Sequence, residues 1–139
     1  MRVLVVDDHA AVRRSLTEVL QREAYVEVVG EASDGEQAVQ LAAQLAPDLV
    51  LMDVVMPKMD GIEATRRIMR ERPETRIIGL SMHDSMAYAA RMLEAGACAY
   101  LMKDCEVEDL LREIRFGQGP AQHVNESKRP REHLVGSIR

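Results

Sequence analysis

The stretch Leu49–Asp53 reads LVLMD, so that four apolar residues are followed at once by a carboxylate. A short apolar run without polar interruption is typical of a strand that is buried on both faces, as in a parallel sheet. The same pattern occurs at Val3–Val6, which is followed by Asp7 and Asp8. If the two runs are neighbouring parallel strands, their carboxyl ends meet at one edge of a sheet and bring the three acids together.

Strand-like and helix-like segments alternate along the first 116 residues. We predict strands at residues 3–6, 26–30, 49–52, 77–80 and 97–101. Helices are predicted at residues 9–22, from a Ser33–Glu36 capping box to Pro47, from the Asp60-Gly61 turn to Pro73, at about 85–95, and from 107 to Gly117. This alternation predicts an α/β fold with a doubly wound parallel sheet. We expect the flavodoxin-like (βα)5 type with strand order 2-1-3-4-5, an order that the alternation alone does not prove.

The predicted strand order has a chemical consequence at the crevice between strands 1 and 3. Asp7, Asp8 and Asp53 flank that crevice, where three carboxylates repel one another unless a cation lies among them. Oxygen ligands are those that Mg²⁺ prefers, so we predict a site for Mg²⁺ (or Mn²⁺) in which one of the carboxylates is an acceptor. Imidazole suits magnesium less well, and His9 and His83 are not expected to bind it.

Length and composition limit the classes of protein. With 139 residues the chain suffices for one domain with its own core. No apolar run reaches the roughly 20 residues that span a bilayer, and the amino terminus has no signal-peptide pattern, so we expect a cytoplasmic protein without membrane contact. Cys98 and Cys105 lack the spacing of a disulfide framework or a zinc site and are expected to be reduced thiols.

Four segments together resemble the response-regulator receiver domain of the CheY-like fold. They are Val5–His9, Leu51–Gly61, Gly79–Asp84 and Gly96–Asp104, in the order and spacing of that family. The resemblance covers about residues 1–116, and the Asp-His after strand 1 is most like the receivers of NarL/FixJ-type transcription regulators. It implies a two-component switch in which a sensor histidine kinase or a phosphotransfer protein phosphorylates Asp53.

The resemblance also implies roles for individual residues. Asp8 and Asp53 would bind the metal directly, the Val55 carbonyl would add a ligand, and Asp7 would act mainly through water. Lys103 and Ser81 would each contact a phosphoryl oxygen. Movement of Ser81 would then let Tyr100 turn inward and change the surface formed by helix 4, strand 5 and helix 5. Because Val55 has no polar group to orient water, we expect at most slow self-dephosphorylation and no enzyme activity beyond it.

The residue after Lys103 departs from the commonest receiver pattern. Many receivers have proline there with a cis peptide bond, whereas this chain has Asp104. A non-proline cis bond costs about 3 kcal/mol, so the bond is either trans or strained. The Asp104 side chain is a candidate cap for the last helix.

Residues 117–139 form a linker or disordered tail according to their low apolar periodicity and their Gly117–Pro120 break. They carry four basic and two acidic side chains, a net charge of +2, whereas the whole chain has a net charge of −5. Residues 1–116 therefore have a net charge of −7, which argues against a basic nucleic-acid-binding face on that part of the chain. No output domain fits in this tail, and we expect DNA contact only through a missing output domain.

Several functions remain open at this point. The preferred one is control of such an output domain, with phosphorylation-dependent homodimerisation as a further prediction. One alternative is a stand-alone receiver that shuttles phosphate in a phosphorelay. A less favoured one is an Asp-nucleophile phosphohydrolase, since the second acid that such enzymes place two residues after the nucleophile is Val55 here. An unphosphorylated interaction module is disfavoured because no site residue is missing.

Overall fold

The computed structural model describes residues 1–82 and 86–117. Five parallel strands form one sheet in the order β2-β1-β3-β4-β5, which confirms the predicted topology. The strands are β1 (Arg2–Val6), β2 (Glu27–Ala32), β3 (Leu49–Asp53), β4 (Arg76–Ser81) and β5 (Ala99–Met102). The helices that alternate with them are α1 (Ala10–Gln21), α2 (Gly35–Leu45), α3 (Gly61–Glu71), α4 (Met86–Ala95) and α5 (Val107–Phe116).

The sheet separates two apolar cores because successive side chains of a strand point to opposite faces. On β1, Leu4 and Val6 pack in the core beneath α2, α3 and α4, whereas Val3 and Val5 pack in the core beneath α1 and α5. The central strands β1 and β3 are therefore apolar at every position between their ends, as their sequence indicated. Among the described residues, none of the helices has the length and apolar character needed to cross a lipid bilayer.

The first turns of α2 and α3 are capped by aspartates. Asp34 accepts a hydrogen bond from the Gln37 N–H at 2.8 Å, and Asp60 accepts one from the Glu63 N–H at 3.0 Å. The predicted capping box of Ser33 and Glu36 is therefore wrong by one position. The shift has a tertiary cause, since the Gly35 N–H donates to the Met59 carbonyl at 3.0 Å and there is no room for a Cβ at that point.

The segment between β5 and α5 also differs from the expectation. Glu106 is the N-cap residue of α5 and makes no side-chain cap hydrogen bond, so the predicted capping by Asp104 is wrong. The described residues contain no cis peptide bond, and the bond after Lys103 is therefore trans. Gly96, directly after α4, has φ +120°, a conformation that favours glycine.

Two arginines fix helix ends at the amino-terminal edge of the sheet. Arg2 on β1 donates from Nη1 to the Leu45 and Ala46 carbonyls, where α2 ends. Arg76 on β4 donates to the Glu113 and Ile114 carbonyls, each at 2.8 Å, in the last turn of α5. A cation at a helix C-terminus satisfies carbonyls that have no partner within the helix and interacts favourably with the helix dipole.

Candidate functional site

Three acids meet at the opposite, carboxyl-terminal edge. Asp7 follows β1 and is 1% exposed, while Asp53 ends β3 and is 4% exposed. The Asp8 side chain is more open. One donor atom from each of these acids and one from His9 all lie within 4.8 Å of one another. The structure thus brings together the three acids that the sequence pattern placed at one edge.

Lys103 joins two of these acids from the end of β5. Its Nζ lies 2.5 Å from Asp7 Oδ2 and 3.1 Å from Asp53 Oδ1. Its backbone N–H donates to the Ser81 carbonyl at 2.9 Å, which holds the ends of β4 and β5 together. Burial by itself would lower the pKa of Lys103, but its hydrogen bond to Asp7 and the charge of Asp53 outweigh burial and raise it. The lysine is therefore a cation at neutral pH.

The Asp53 carboxylate is held in an unfavourable charged state. Burial, followed by repulsion from Asp7, raises the pKa of Asp53 from 3.8 to about 6, although Lys103 opposes the shift. One lysine charge is thus not enough to balance the acids around it. An additional cation at this position would favour the ionised form.

Two carboxylate oxygens of the cluster have no hydrogen-bond partner among the described residues. They are Asp8 Oδ1 and Asp53 Oδ2, both shielded from solvent. Buried carboxylate oxygens are normally paired or bound to a metal. Hard oxygen ligands with excess negative charge fit Mg²⁺ or Mn²⁺, with water completing the coordination. The residues present therefore fit the metal that the sequence predicted.

The loop from β3 to α3 keeps Asp53 close to the helix that follows. The Gly61 N–H donates to the Val54 carbonyl at 2.8 Å, and a Cβ on Gly61 would lie only 2.0 Å from the Asp53 carbonyl oxygen. Glycine is therefore required where α3 approaches β3. Val55, within this loop, is 46% exposed, and its proposed role as a carbonyl ligand remains a prediction.

The two predicted switch residues are both buried. Ser81 and Tyr100 are each 1% exposed. Tyr100 pairs with Gly79 in the β4–β5 register, and a Cβ on Gly79 would lie 3.3 Å from the Tyr100 ring, so the glycine makes room for the aromatic side chain. Tyr100 thus already lies inward in this structure, and its movement on phosphorylation remains a prediction.

Arg13 is a residue of the site that the sequence reading did not single out. Its Nη1 donates to the Asp7 carbonyl at 2.6 Å, and its Nε pairs with Glu31 at 3.1 Å. Together these contacts fix the turn that carries Asp7 and Asp8 against β2. The i, i+6 relation between Asp7 and Arg13 spans a loop and a helix turn, which no helical or strand periodicity predicts.

Comparison with known proteins gives the class. The sequence model of the response regulator receiver domain matches residues 3–115. The transcriptional regulatory protein LiaR of Bacillus subtilis is 45% identical over 117 residues, which cover 83% of this chain and 54% of LiaR. The response regulator UvrY of Escherichia coli is 41% identical over 115 residues, which cover 83% of this chain and 53% of UvrY.

Solved structures agree with the family match. A LuxR-family two-component response regulator from an Aurantimonas species has a TM-score of 0.79 at 37% identity, with 82% of this chain and 81% of that chain covered. The signal receiver domain of the response regulator NarL from Mycobacterium tuberculosis has a TM-score of 0.78 at 34% identity, with 82% and 92% covered.

The chain belongs to the response-regulator receiver family of two-component signalling, and its relatives include transcriptional regulators. The predicted family and fold are confirmed, and the phosphohydrolase alternative is not supported. The chain spans about half the length of the curated relatives it matches. The predicted division into a receiver at residues 1–116 and a tail at 117–139 remains a prediction, because residues 118–139 lie outside those described, as does His83.

Proposed function

We propose that this receiver is a phosphorylation-dependent switch in which Asp53 accepts a phosphoryl group from a sensor histidine kinase or phosphotransfer protein. The observation that carries the proposal is a pair of buried oxygens on Asp8 and Asp53 that have no hydrogen-bond partner within residues 1–82 and 86–117 and lie beside the Lys103 cation. The two oxygens leave negative charge that a metal cation would balance, and that cation together with Lys103 would attract the phosphoryl group. Supporting residues are Asp7, Val55, Ser81 and Tyr100, in the roles that the family resemblance implies.

The chemistry follows from the positions of the charged groups. A carboxylate oxygen of Asp53 forms a bond to phosphorus, while the bond from phosphorus to the donor nitrogen or oxygen breaks and its electron pair leaves with the donor. Bound Mg²⁺ would supply positive charge that offsets repulsion between the carboxylate and the phosphoryl oxygens. Lys103 then transfers contact from Asp53 to a phosphoryl oxygen, and the Ser81 hydroxyl donates to another.

Burial of Tyr100 gives the switch its readout. Its ring packs beside Gly79, two residues before Ser81 on the same strand. A shift of Ser81 toward the phosphate would therefore alter the space around the ring and the surface formed by α4, β5 and α5. We propose that phosphorylation favours the inward position of Tyr100, which is one state of a two-state element.

A groove of about 490 Å³ beside the site offers a surface to the phosphodonor protein. Its walls come from α1, the end of β4, the segment between β5 and α5, and the start of α5, with Ala11, Leu16, Lys103 and Val107 among the lining residues. Lys103 therefore links the groove to the acidic cluster. A partner that docks its apolar surface there would bring a phosphohistidine close to Asp53.

The downstream effect that we propose is control of a DNA-binding output domain, in keeping with the transcriptional regulators among the relatives. Homodimerisation on phosphorylation is part of this proposal. The alternative of a stand-alone phosphate shuttle differs in one measurable respect, because it requires phosphate to pass from Asp53 to a histidine of a phosphotransfer protein. Efficient transfer from labelled chain to such a protein would favour the shuttle.

The test of the core proposal is a mass measurement of intact protein after incubation with acetyl phosphate and Mg²⁺. Wild type should gain about 80 Da, the mass of one phosphoryl group replacing a proton, through an acyl phosphate on Asp53. Asp53→Asn should gain nothing, and EDTA should prevent labelling of wild type. Labelling of Asp53→Asn, or labelling of wild type in EDTA, would refute the proposal.

Asp34→Asn is the matched control for that experiment. Asp34 lies at the same edge of the sheet but caps α2 instead of joining the acidic cluster. Asparagine is as good a helix N-cap as aspartate, so the variant should fold and be labelled like wild type. Loss of labelling in this control would mean that negative charge at this edge matters in general, and not the Asp53 oxygens in particular.

A further inference from the structure

His9 lies in the acidic cluster but has no part in the proposed function. It is the N-cap residue of α1, and its side chain is 69% exposed. Its Nδ1 atom lies 3.3 Å from Asp7 Oδ1 and 3.2 Å from Asp8 Oδ1. The backbone N–H of His9 also donates to Asp7 Oδ1 at 2.9 Å, which fixes the start of the side chain beside the acids.

These spacings are those of neighbouring ligands on one metal ion. Two ligand atoms bonded at about 2.1 Å and separated by an angle between octahedral and tetrahedral values are roughly 3.0–3.4 Å apart. The contact with Asp8 Oδ1 lacks hydrogen-bond geometry, and that oxygen has no hydrogen-bond partner among the described residues. The contact of His9 Nδ1 with Asp7 Oδ1 does have hydrogen-bond geometry, so a hydrogen bond accounts for that contact but not for the approach of His9 to Asp8.

A second observation points to a ligand at the same place. Asp53 is 4% exposed, and its Oδ2 atom is buried without a partner in the part of the chain that the structure describes. It belongs to the set of four donor atoms, together with those of Asp7, Asp8 and His9, that lie within 4.8 Å of one another. Three oxygens and one imidazole nitrogen make a donor set that differs from the oxygen set of a magnesium site.

We propose that His9 gives this site a second metal-binding mode, in which Zn²⁺ or a similar imidazole-preferring dication binds to His9 and the acids and blocks phosphorylation. Imidazole nitrogen suits zinc, copper and nickel, whereas magnesium prefers oxygen and gains little from His9. Zinc with four protein ligands has a closed tetrahedral shell, so no position remains for a phosphoryl oxygen. The blocking step rests on the proposed function, but the binding step does not.

The binding step is tested by titrating Zn²⁺ and Mg²⁺ separately into wild type and His9→Phe in a calorimeter. Phenylalanine keeps a ring of similar size and removes both nitrogens, and the exposed position of His9 leaves the core intact. Removal of a metal contact of this kind costs at least about tenfold in affinity, so His9→Phe should bind Zn²⁺ at least tenfold more weakly. Its affinity for Mg²⁺ should stay within about twofold of wild type, since oxygen ligands dominate there.

His83→Phe is the control for a general effect of losing one histidine, and it should bind Zn²⁺ like wild type. A ¹⁵N spectrum of the histidine rings gives an independent readout: one Nδ1 resonance should shift with Zn²⁺ but not with Mg²⁺, and it should be absent from His9→Phe. Equal Zn²⁺ affinity in wild type and His9→Phe, equal losses in both variants, or a parallel loss of Mg²⁺ affinity would each overturn the proposal.

The blocking step is tested by labelling with acetyl phosphate in Mg²⁺ with and without added Zn²⁺. Zinc should suppress the labelling of wild type, and His9→Phe should need at least tenfold more zinc for the same suppression. Suppression at equal zinc concentrations in the two proteins would overturn it. A wild type that is not labelled even in Mg²⁺ alone would refute the proposed function, while calorimetry and the ring spectrum would still decide whether His9 binds zinc.

Discussion

The two edges of the sheet treat charge in opposite ways. At the amino-terminal edge, Arg2 and Arg76 each donate to two carbonyls at a helix end. At the carboxyl-terminal edge, Asp8 and Asp53 keep buried oxygens without hydrogen bonds among the described residues. Paired charges stabilise the fold, whereas unpaired carboxylates cost stability and create the capacity to bind a cation and a phosphoryl group. The amino-terminal edge is therefore the structural edge of the sheet, and the carboxyl-terminal edge is its chemical edge.

The largest effect is expected from Gly61→Ala, which crowds the chemical edge. The new Cβ would lie 2.0 Å from the Asp53 carbonyl oxygen, and backbone on both sides must move to relieve the clash. We expect a loss of about 4 kcal/mol in the free energy of unfolding, at the upper end of overpacking effects. Urea denaturation followed by circular dichroism measures the loss, and a change below about 1 kcal/mol would contradict the described approach of α3 to β3.

Arg76→Met tests the structural edge. The variant keeps the apolar stem but removes two hydrogen bonds from a cation to the last carbonyls of α5. We expect a loss of about 3 kcal/mol, since hydrogen bonds to charged groups contribute about 1.5 kcal/mol or more each. Labelling of Asp53 in the folded variant should be unchanged, because the site lies at the other end of β4. A stable variant with impaired labelling would contradict the division between the edges.

Asp53→Asn, in contrast, should raise the free energy of unfolding when EDTA keeps the protein free of metal. The folded-state pKa of Asp53 is about 6 against an ordinary 3.8, so ionisation above pH 6 disfavours the folded state. Neutral asparagine avoids this cost, and we expect a gain of about 2 kcal/mol near about pH 7.5. The gain should shrink as the pH falls from about 6 toward 3.8 and vanish well below 3.8, where the wild-type carboxyl is protonated in both states.

Added Mg²⁺ sharpens the same measurement, because a ligand that binds only the folded state raises its stability. Mg²⁺ should raise the free energy of unfolding of wild type and leave that of Asp53→Asn nearly unchanged. The stability advantage of the variant should therefore become smaller or reverse. Urea denaturation at several pH values, with and without Mg²⁺, gives all of these quantities. A variant that is less stable than wild type in EDTA near about pH 7.5 would contradict the unfavourable state of the Asp53 carboxylate.

Asp34→Ala should have the smallest effect of this series. Asp34 is an acid of the chemical edge whose side chain is already used, since it caps α2 through the Gln37 N–H. Loss of an N-cap costs about 1 kcal/mol, and the free energy of unfolding should fall by that amount. Its response to Mg²⁺ should equal that of wild type. A weaker response would extend the metal site beyond the acidic cluster.

The sequence predicted most of the fold because the apolar runs are short, separate and bounded by acids. That pattern predicted a parallel sheet, and the convergence of Asp7, Asp8 and Asp53 followed once the flavodoxin-like strand order was adopted, which the apolar runs do not fix by themselves. The start of α2 did not, since the choice between Ser33 and Asp34 as cap depends on Met59, which is distant in sequence. The β1–β2 register shift at Val3/Leu4 is likewise a property of paired strands, and no single strand sequence reveals it.

The sequence identified the main residues of the candidate site, but it did not predict several of the contacts that they make. The acids and Lys103 stand out at the ends of apolar runs. The contact of Arg13 with the Asp7 carbonyl depends on how α1 packs against β2, and the approach of His9 Nδ1 to two acids depends on a side-chain rotamer. Neither is encoded in a local periodicity. Burial of Tyr100 could not be predicted from its own strand either, because the room for its ring comes from Gly79 on the neighbouring strand.

The hydrogen bonds from Arg76 to the last turn of α5 affect how that helix can move. Strand β4 begins with Arg76 and ends with Ser81. It therefore connects the C-terminal end of α5 to the edge of the sheet that carries the acidic cluster. Helix α5 is held at its C-terminal end by these hydrogen bonds, and its N-cap residue makes no side-chain cap hydrogen bond at the other end. A displacement near Lys103 would therefore meet less resistance at the start of α5 than at its end, where the Arg76 hydrogen bonds would have to break.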